Sequence, residues 1–173
     1  MKNLIKMKPL FTEQDLAKRT AELGAQITKD FNGEPIVAVG VLKGAFIFLA
    51  DLVRHIKLPT QIEFMAVSSY VGTTSGHVKI THDLAYDIQD KNVLLVEDII
   101  DTGKTIDHIM AILKTRGPKS IRVCALLSKP EAHVLQTKIN YTGFEITKEF
   151  VIGYGLDLDG RYRELPYIAQ VQQ

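Results

Sequence analysis

One cysteine, Cys124, stands among 173 residues. The chain therefore cannot close an internal disulfide or build a CxxC metal site, and a reducing cytosol is the expected compartment. An excess of one charge is also missing. The 21 Lys and Arg face 20 Asp and Glu, a formal net charge of +1, which removes any overall pull toward nucleic acid or anionic lipid. No apolar run approaches the ~18 residues of a membrane span, and the basic start MKNLIKMKPLFTEQ has no continuous hydrophobic stretch of the secretory kind. His55, His77, His82, His108 and His133 are scattered, with no spacing that suits a protein-held zinc. Repeats, low-complexity tracts and Pro/Gly/Ser-rich linkers are absent as well. The 46% hydrophobic content is that of a globular chain, not of a disordered, collagen-like or coiled-coil one. One domain of about 100–200 residues fits this length, so residues 1–173 are expected to fold as a single soluble unit.

What is present is an alternation of helical and extended patterns. Thr12 with Asp15 forms a capping pair, and Leu16, Leu23, Ile27 and Phe31 then recur near helical spacing until Asn32-Gly33 stops the segment. Residues 35–42 are a short, continuous apolar run bounded by Pro35 and Lys43-Gly44, as suits a strand covered on both faces. A helix is predicted over 45–56, strands over 61–68, 92–97, 120–127 and 150–154, and a second helix over 102–115. The stretch 69–77, with its glycines and hydroxyls, reads as a loop. Strands alternating with helices predict right-handed crossovers and an α/β fold with a mainly parallel sheet. Ligands in such sheets bind beyond the carboxyl ends of the strands.

The richest chemistry follows one of these strands. NVLLV runs directly into Glu97-Asp98-Ile99-Ile100-Asp101 and then Thr102-Gly103-Lys104-Thr105. Hydroxyls and unpaired N–H groups at a helix start make a place for a phosphate. On these residues alone, Asp101 or Thr102 could equally be a simple helix cap. A nucleoside-triphosphate P-loop is excluded, because Asp98 occupies the position of that motif's first glycine. Gly153-Tyr154-Gly155 is no dinucleotide fingerprint either, since Leu158 stands where the third glycine belongs. Glu97 and Asp98 suit a hydroxylated, metal-chelated substrate, through a ribose diol or water-mediated Mg²⁺.

VLLVEDIIDTGKT resembles the signature of the type I phosphoribosyltransferases, and its E-D-I-I-D-T-G form is most similar to the hypoxanthine and hypoxanthine-guanine branch. The family's motifs follow in order over residues 35–166. The resemblance implies a central, mainly parallel sheet flanked by helices, with a small hood built from the chain ends. It implies that Glu97 and Asp98 bind ribose and Mg²⁺, and that Asp101, Thr102, Gly103, Lys104 and Thr105 cradle the 5′-phosphate of 5-phosphoribosyl 1-pyrophosphate. Asp101 would also accept the proton of purine N7. Lys43 and Gly44 match the pyrophosphate loop, in which the 42–43 peptide can be cis; Ala45 replaces the family's usual second glycine. Arg163, with Arg161 close by, matches a second pyrophosphate contact. Ser69 and Tyr70 open the segment that matches a mobile lid. Lys129 would donate to the 6-oxygen of a purine, Phe150 would stack on the base, and the Val151 backbone would read its edge. Asp157 would lie near the base and a second Mg²⁺.

The activity so implied is transfer of a phosphoribosyl group to hypoxanthine or guanine, giving IMP or GMP and pyrophosphate. Small-molecule substrates, no nucleic acid, no membrane and a homodimer or homotetramer go with it. Another base acceptor, such as xanthine, guanine alone or a pyrimidine, is a second reading. A third is a regulator that senses the donor and binds RNA or another protein, whose nucleic-acid form the net charge disfavours.

Overall fold

The computed structural model describes residues 6–69 and 78–172. A six-stranded sheet carries the order β4-β3-β2-β5-β6-β7, formed by β2 (Ile36–Leu42), β3 (Thr60–Ser69), β4 (Val78–His82), β5 (Asn92–Ile100), β6 (Ser120–Ser128) and β7 (Tyr141–Glu145). All neighbours are parallel except β3 and β4. Three helices accompany it: α1 (Glu13–Phe31), α2 (Phe46–His55) and α3 (Lys104–Lys114).

The central strands read as unbroken apolar runs because both faces are covered. In β2 and β5, alternate residues enter separate cores. Ile36, Ala38, Leu94 and Val96 join Leu23, Phe48 and Leu52 from α1 and α2. Val37, Val39, Val93 and Leu95 join Ile106, Ile109 and Leu113 from α3 on the other face. The chain leaves β2 through α2 toward β3 and leaves β5 through α3 toward β6, so the two strands diverge in opposite directions at their carboxyl ends. That divergence opens a crevice where open α/β sheets bind ligands.

The predicted hood is the antiparallel sheet β1-β9-β8, made by β1 (Met7–Phe11), β8 (Val151–Ile152) and β9 (Ile168–Val171). β1 falls within the basic N-terminal segment that carries no strand signal, and its register shifts between Pro9 and Phe11, a place where a residue without an N–H is tolerated. β8 is shorter than the predicted 150–154. Gly153, Tyr154 and Gly155 all have positive φ and turn the chain out of the sheet.

α1 begins as its sequence predicts, with Thr12 accepting from Asp15 N at 3.2 Å and Asp15 Oδ2 accepting from Thr12 N at 2.9 Å. β5 extends three residues past the predicted end at Glu97, so the acidic pair lies within the strand. α3 begins at Lys104, two residues later than predicted. No helix among the described residues is long and apolar enough to cross a membrane. Leu23 is fully buried between α1 and the sheet's first core. Leu23→Ala is expected to lower stability by about 2–5 kcal/mol, measured by urea unfolding.

Candidate functional site

Four segments meet above the β2/β5 crevice. β5 contributes Glu97 and Asp98. Pairing of β5 with β2 ends at Gly40↔Val96, whereas pairing with β6 continues through Glu97↔Ala125 to Ile100↔Ser128. The two carboxylates are therefore held by one neighbour just where the other departs. Glu97 is buried and Asp98 half-buried, and Glu97 Oε2 has no hydrogen-bond partner among the described residues. Burial, followed by the Asp98 charge, pushes the Glu97 carboxyl well above its usual range. Asp98 is pushed up to about 6, chiefly by burial and against the opposing pull of the Ile99 N–H and of Arg163.

The β2–α2 loop covers this pair. Its Leu42–Lys43 peptide is cis, a state the resemblance left open, and Lys43 is exposed. Gly44 lies so close to Asp98 that a Cβ there would fall on the carboxylate. The segment after β8 approaches from the hood. Arg163 Nη2 pairs with Asp157 Oδ1 at 2.6 Å, and Arg163 Nη1 donates to Gly155 O at 2.6 Å. Gly160 N holds the other Asp157 oxygen at 2.8 Å. Arg161 is exposed and belongs to a turn with Leu158, whereas Arg163 is the arginine bonded to Asp157 and Gly155.

The segment 101–105 completes the rim. Asp101, Thr102, Lys104 and Thr105 are exposed. The N-cap of α3 is Gly103, with no side-chain hydrogen bond; the simple cap reading for Asp101 or Thr102 is thereby removed. The first N–H groups of an eleven-residue helix then face outward with the favourable end of its dipole.

Lys129, just after β6, donates to Asp101 Oδ2 at 3.3 Å. The two residues line a cavity of about 260 Å³ with Glu131, Ala132, Thr147 and Lys148. Phe150, 52% exposed, lines an adjoining cavity that shares Thr147 and Lys148. The structure therefore brings Lys129 and Asp101 together but leaves the Phe150 ring beside their cavity. Val151 is buried in the core. Ser69 ends β3, while Tyr70 and the rest of the lid segment lie outside the described residues.

Sequence reasoning missed Thr147 and Lys148, which carry no motif, and it missed Asp107. That carboxylate accepts from Gln136 N and Thr137 N, both at 2.9 Å. It pins the strap 129–137 over the phosphate loop, where Val134 N donates to Thr102 O at 3.0 Å. A larger cavity of about 620 Å³ lies at the opposite, amino end of the strands, lined by Pro35, Ile36, Thr60 and Asn92 among others. It contains none of these groups.

No three His, Cys, Asp or Glu side chains among the described residues converge to hold a metal, so Glu97, Asp98 and Asp157 do not form a cage. A buried and a half-buried carboxylate, the first with an unpartnered oxygen, still fit Mg²⁺, which takes one or two protein carboxylates and completes its shell with water and substrate oxygens.

A sheet with this switch point, an acidic pair at its centre and an uncapped helix start beside it define a phosphoribosyl-handling α/β protein. The chain belongs to the phosphoribosyl transferase domain family, whose model matches residues 8–159. It is 50% identical over 167 residues to the hypoxanthine phosphoribosyltransferase of Haemophilus influenzae, covering 94% of this chain and 93% of that one. To the hypoxanthine-guanine phosphoribosyltransferase of Mycobacterium avium it is 49% identical, over 92% of this chain and 83% of the relative. The crystal structure of a hypoxanthine-guanine phosphoribosyltransferase from Bacillus anthracis superposes with a TM-score of 0.93 at 44% identity, covering 98% of this chain and all of that one.

The raised Asp98 carboxyl has a consequence for stability. Folding takes up a proton there, so the ligand-free protein gains stability below the ordinary value of 3.8 and loses that gain as pH rises through about 6. Asp98→Asn should flatten this decline, seen as a melting temperature that falls less than wild type's between about pH 4 and pH 6.5.

Proposed function

We propose that this protein transfers the 5-phosphoribosyl group of 5-phosphoribosyl 1-pyrophosphate to a ring nitrogen of hypoxanthine, and of guanine, forming IMP or GMP and releasing pyrophosphate. The observation that carries the proposal is the Lys129–Asp101 pair, set between a small cavity and the uncapped start of α3. One cation and one carboxylate match the two edges of a 6-oxopurine. The Lys129 ammonium has only protons to give, so it favours a 6-oxygen and disfavours the amino group of adenine. Asp101 accepts the proton released from N7 as the new bond forms.

The reaction is a problem of charge. As the bond from the anomeric carbon to pyrophosphate breaks, positive charge grows on the ribose and negative charge on the departing group, and the base closes on the opposite face with inversion. Thr102, Lys104, Thr105 and the N–H groups at the start of α3 hold the 5′-phosphate and so fix the ribose in place. Glu97 and Asp98 bind its hydroxyls. Lys43 and Arg163 stabilise the developing pyrophosphate, an electrostatic contribution that is strongest in a water-poor site. Mg²⁺, where held by Glu97, Asp98 and the donor's own oxygens, supplies further neutralisation of that leaving group.

The test measures pyrophosphate release from purified protein with Mg²⁺ and the donor, across hypoxanthine, guanine, xanthine, adenine and uracil. Activity with 6-oxopurines alone is expected. A protein that binds the donor, turns over no base and shows salt-dependent RNA binding would instead be the regulator. Asp101→Asn should lower kcat by about 10²–10⁴-fold while leaving both KM values close to wild type. An unchanged kcat would remove Asp101 from the proton-accepting role.

A further inference from the structure

We propose that Tyr154 and Asp51 form a positioning pair that sets the pyrophosphate side of the site; the inference rests on the function proposed above. The side-chain hydrogen bond of Tyr154 goes to Asp51 on α2, not to a group assigned to substrate. Its backbone lies in the left-handed region at φ +50°, between Gly153 at +97° and Gly155 at +104°. A bulky side chain is uncommon in that region and persists where its surroundings hold it.

Three attachments hold it. The ring is buried at 6% exposure. Tyr154 N donates to Leu165 O at 2.8 Å. The hydroxyl donates to Asp51 Oδ2 on α2 at 2.6 Å, while Arg54 engages the other oxygen of Asp51.

The segment so fixed carries the chemistry. Gly155, the next residue, donates from its N–H to Arg163 O at 2.9 Å and accepts from Arg163 Nη1, so it determines where that guanidinium stands. On its other side Gly155 abuts the carbonyl of Gly44, which fills the space a Cβ would need. Gly44 belongs to the loop that begins α2, and α2 bears Asp51. The segment after β8 therefore meets α2 and the loop leading into it at two points, Gly155 on Gly44 and Tyr154 on Asp51. Two points of contact fix an orientation that a single contact leaves free to pivot. Arg163 and the Lys43-Gly44 loop are thus kept at one separation, matched to a diphosphate.

The buried ring would be filled equally well by phenylalanine, and Asp51 would retain Arg54 and solvent, so Tyr154→Phe should fold. Its expected signature is selective. KM for the phosphoribosyl donor, and for pyrophosphate in the reverse reaction with IMP, should rise about 3–10-fold, the scale of one ordinary net hydrogen bond, since the effect reaches the substrate only through the positioned segment. KM for hypoxanthine should stay at the wild-type value. Asp51→Asn keeps an oxygen that can accept from the tyrosine and should stay near wild type. Asp51→Leu should reproduce the donor effect, and the double variant Tyr154→Phe/Asp51→Leu should be no worse than either single one. A lower melting temperature with an unmoved donor KM, or equal rises in donor and base KM, would overturn the positioning role alone. Wild-type protein that turns over no base would overturn the proposed function and this inference with it.

Discussion

A buried carboxylate and its half-buried neighbour at the end of the central strand are the constraint around which this protein is arranged. A carboxylate removed from water without a partner is expensive, and Glu97 Oε2 has none. The sheet nonetheless drives β5 three residues beyond Glu97, placing the pair where β2 has already turned away. Neighbouring choices then follow. Gly44 is needed because any side chain would strike Asp98, and Arg163 is near enough to draw the Asp98 carboxyl downward while Asp157 draws it upward. The protein holds its acidic pair incompletely satisfied, and on the proposed function a hydroxylated, metal-bearing ligand would relieve it. Strain of this kind concentrates at binding sites, where the remaining stability of the fold supports it.

Much of this was legible from residue order because the signals are local. The amphipathic spacing of α1 and its capping box, the apolar runs of β2, β5 and β6, and the acidic segment leading to Gly103 are each contained within a short window. The pieces that were not legible depend on distant partners. β1 and β9 are short strands that exist because the two chain ends meet, and β7 is an edge strand paired to β6 with little pattern of its own. β5 runs past its expected end at Glu97 because β6 continues to pair with it, a support that no pattern within β5 reveals. Asp107 looks like an ordinary first-turn acid on a helix. Its role appears only once the strap bearing Gln136 and Thr137 folds back over α3.

That strap explains how the two halves of the site communicate mechanically. Lys129 N bonds to Ile100 O at 2.9 Å and Val134 N to Thr102 O at 3.0 Å, so the residues that would meet the base are tied at two points to the loop that would hold the donor's 5′-phosphate. The position of Lys129 is therefore set relative to the phosphate cradle through backbone bonds, which admit little adjustment. Asp101 stands between these ties, and its ion pair with Lys129 occupies the line along which a purine would present its 6-oxygen and N7. In the ligand-free arrangement the two groups satisfy each other at 3.3 Å, with Asp101 55% exposed and Lys129 14%. A contact of this length with one partner largely in water is a weak one, so a base would part it at little cost, giving each member a better partner than the one it loses. A base without an oxygen at that position would separate the pair and leave the Lys129 ammonium facing a donor. On the proposed function, discrimination would come from the unpaired cation left behind by the wrong base, a larger penalty than any gain from the right one.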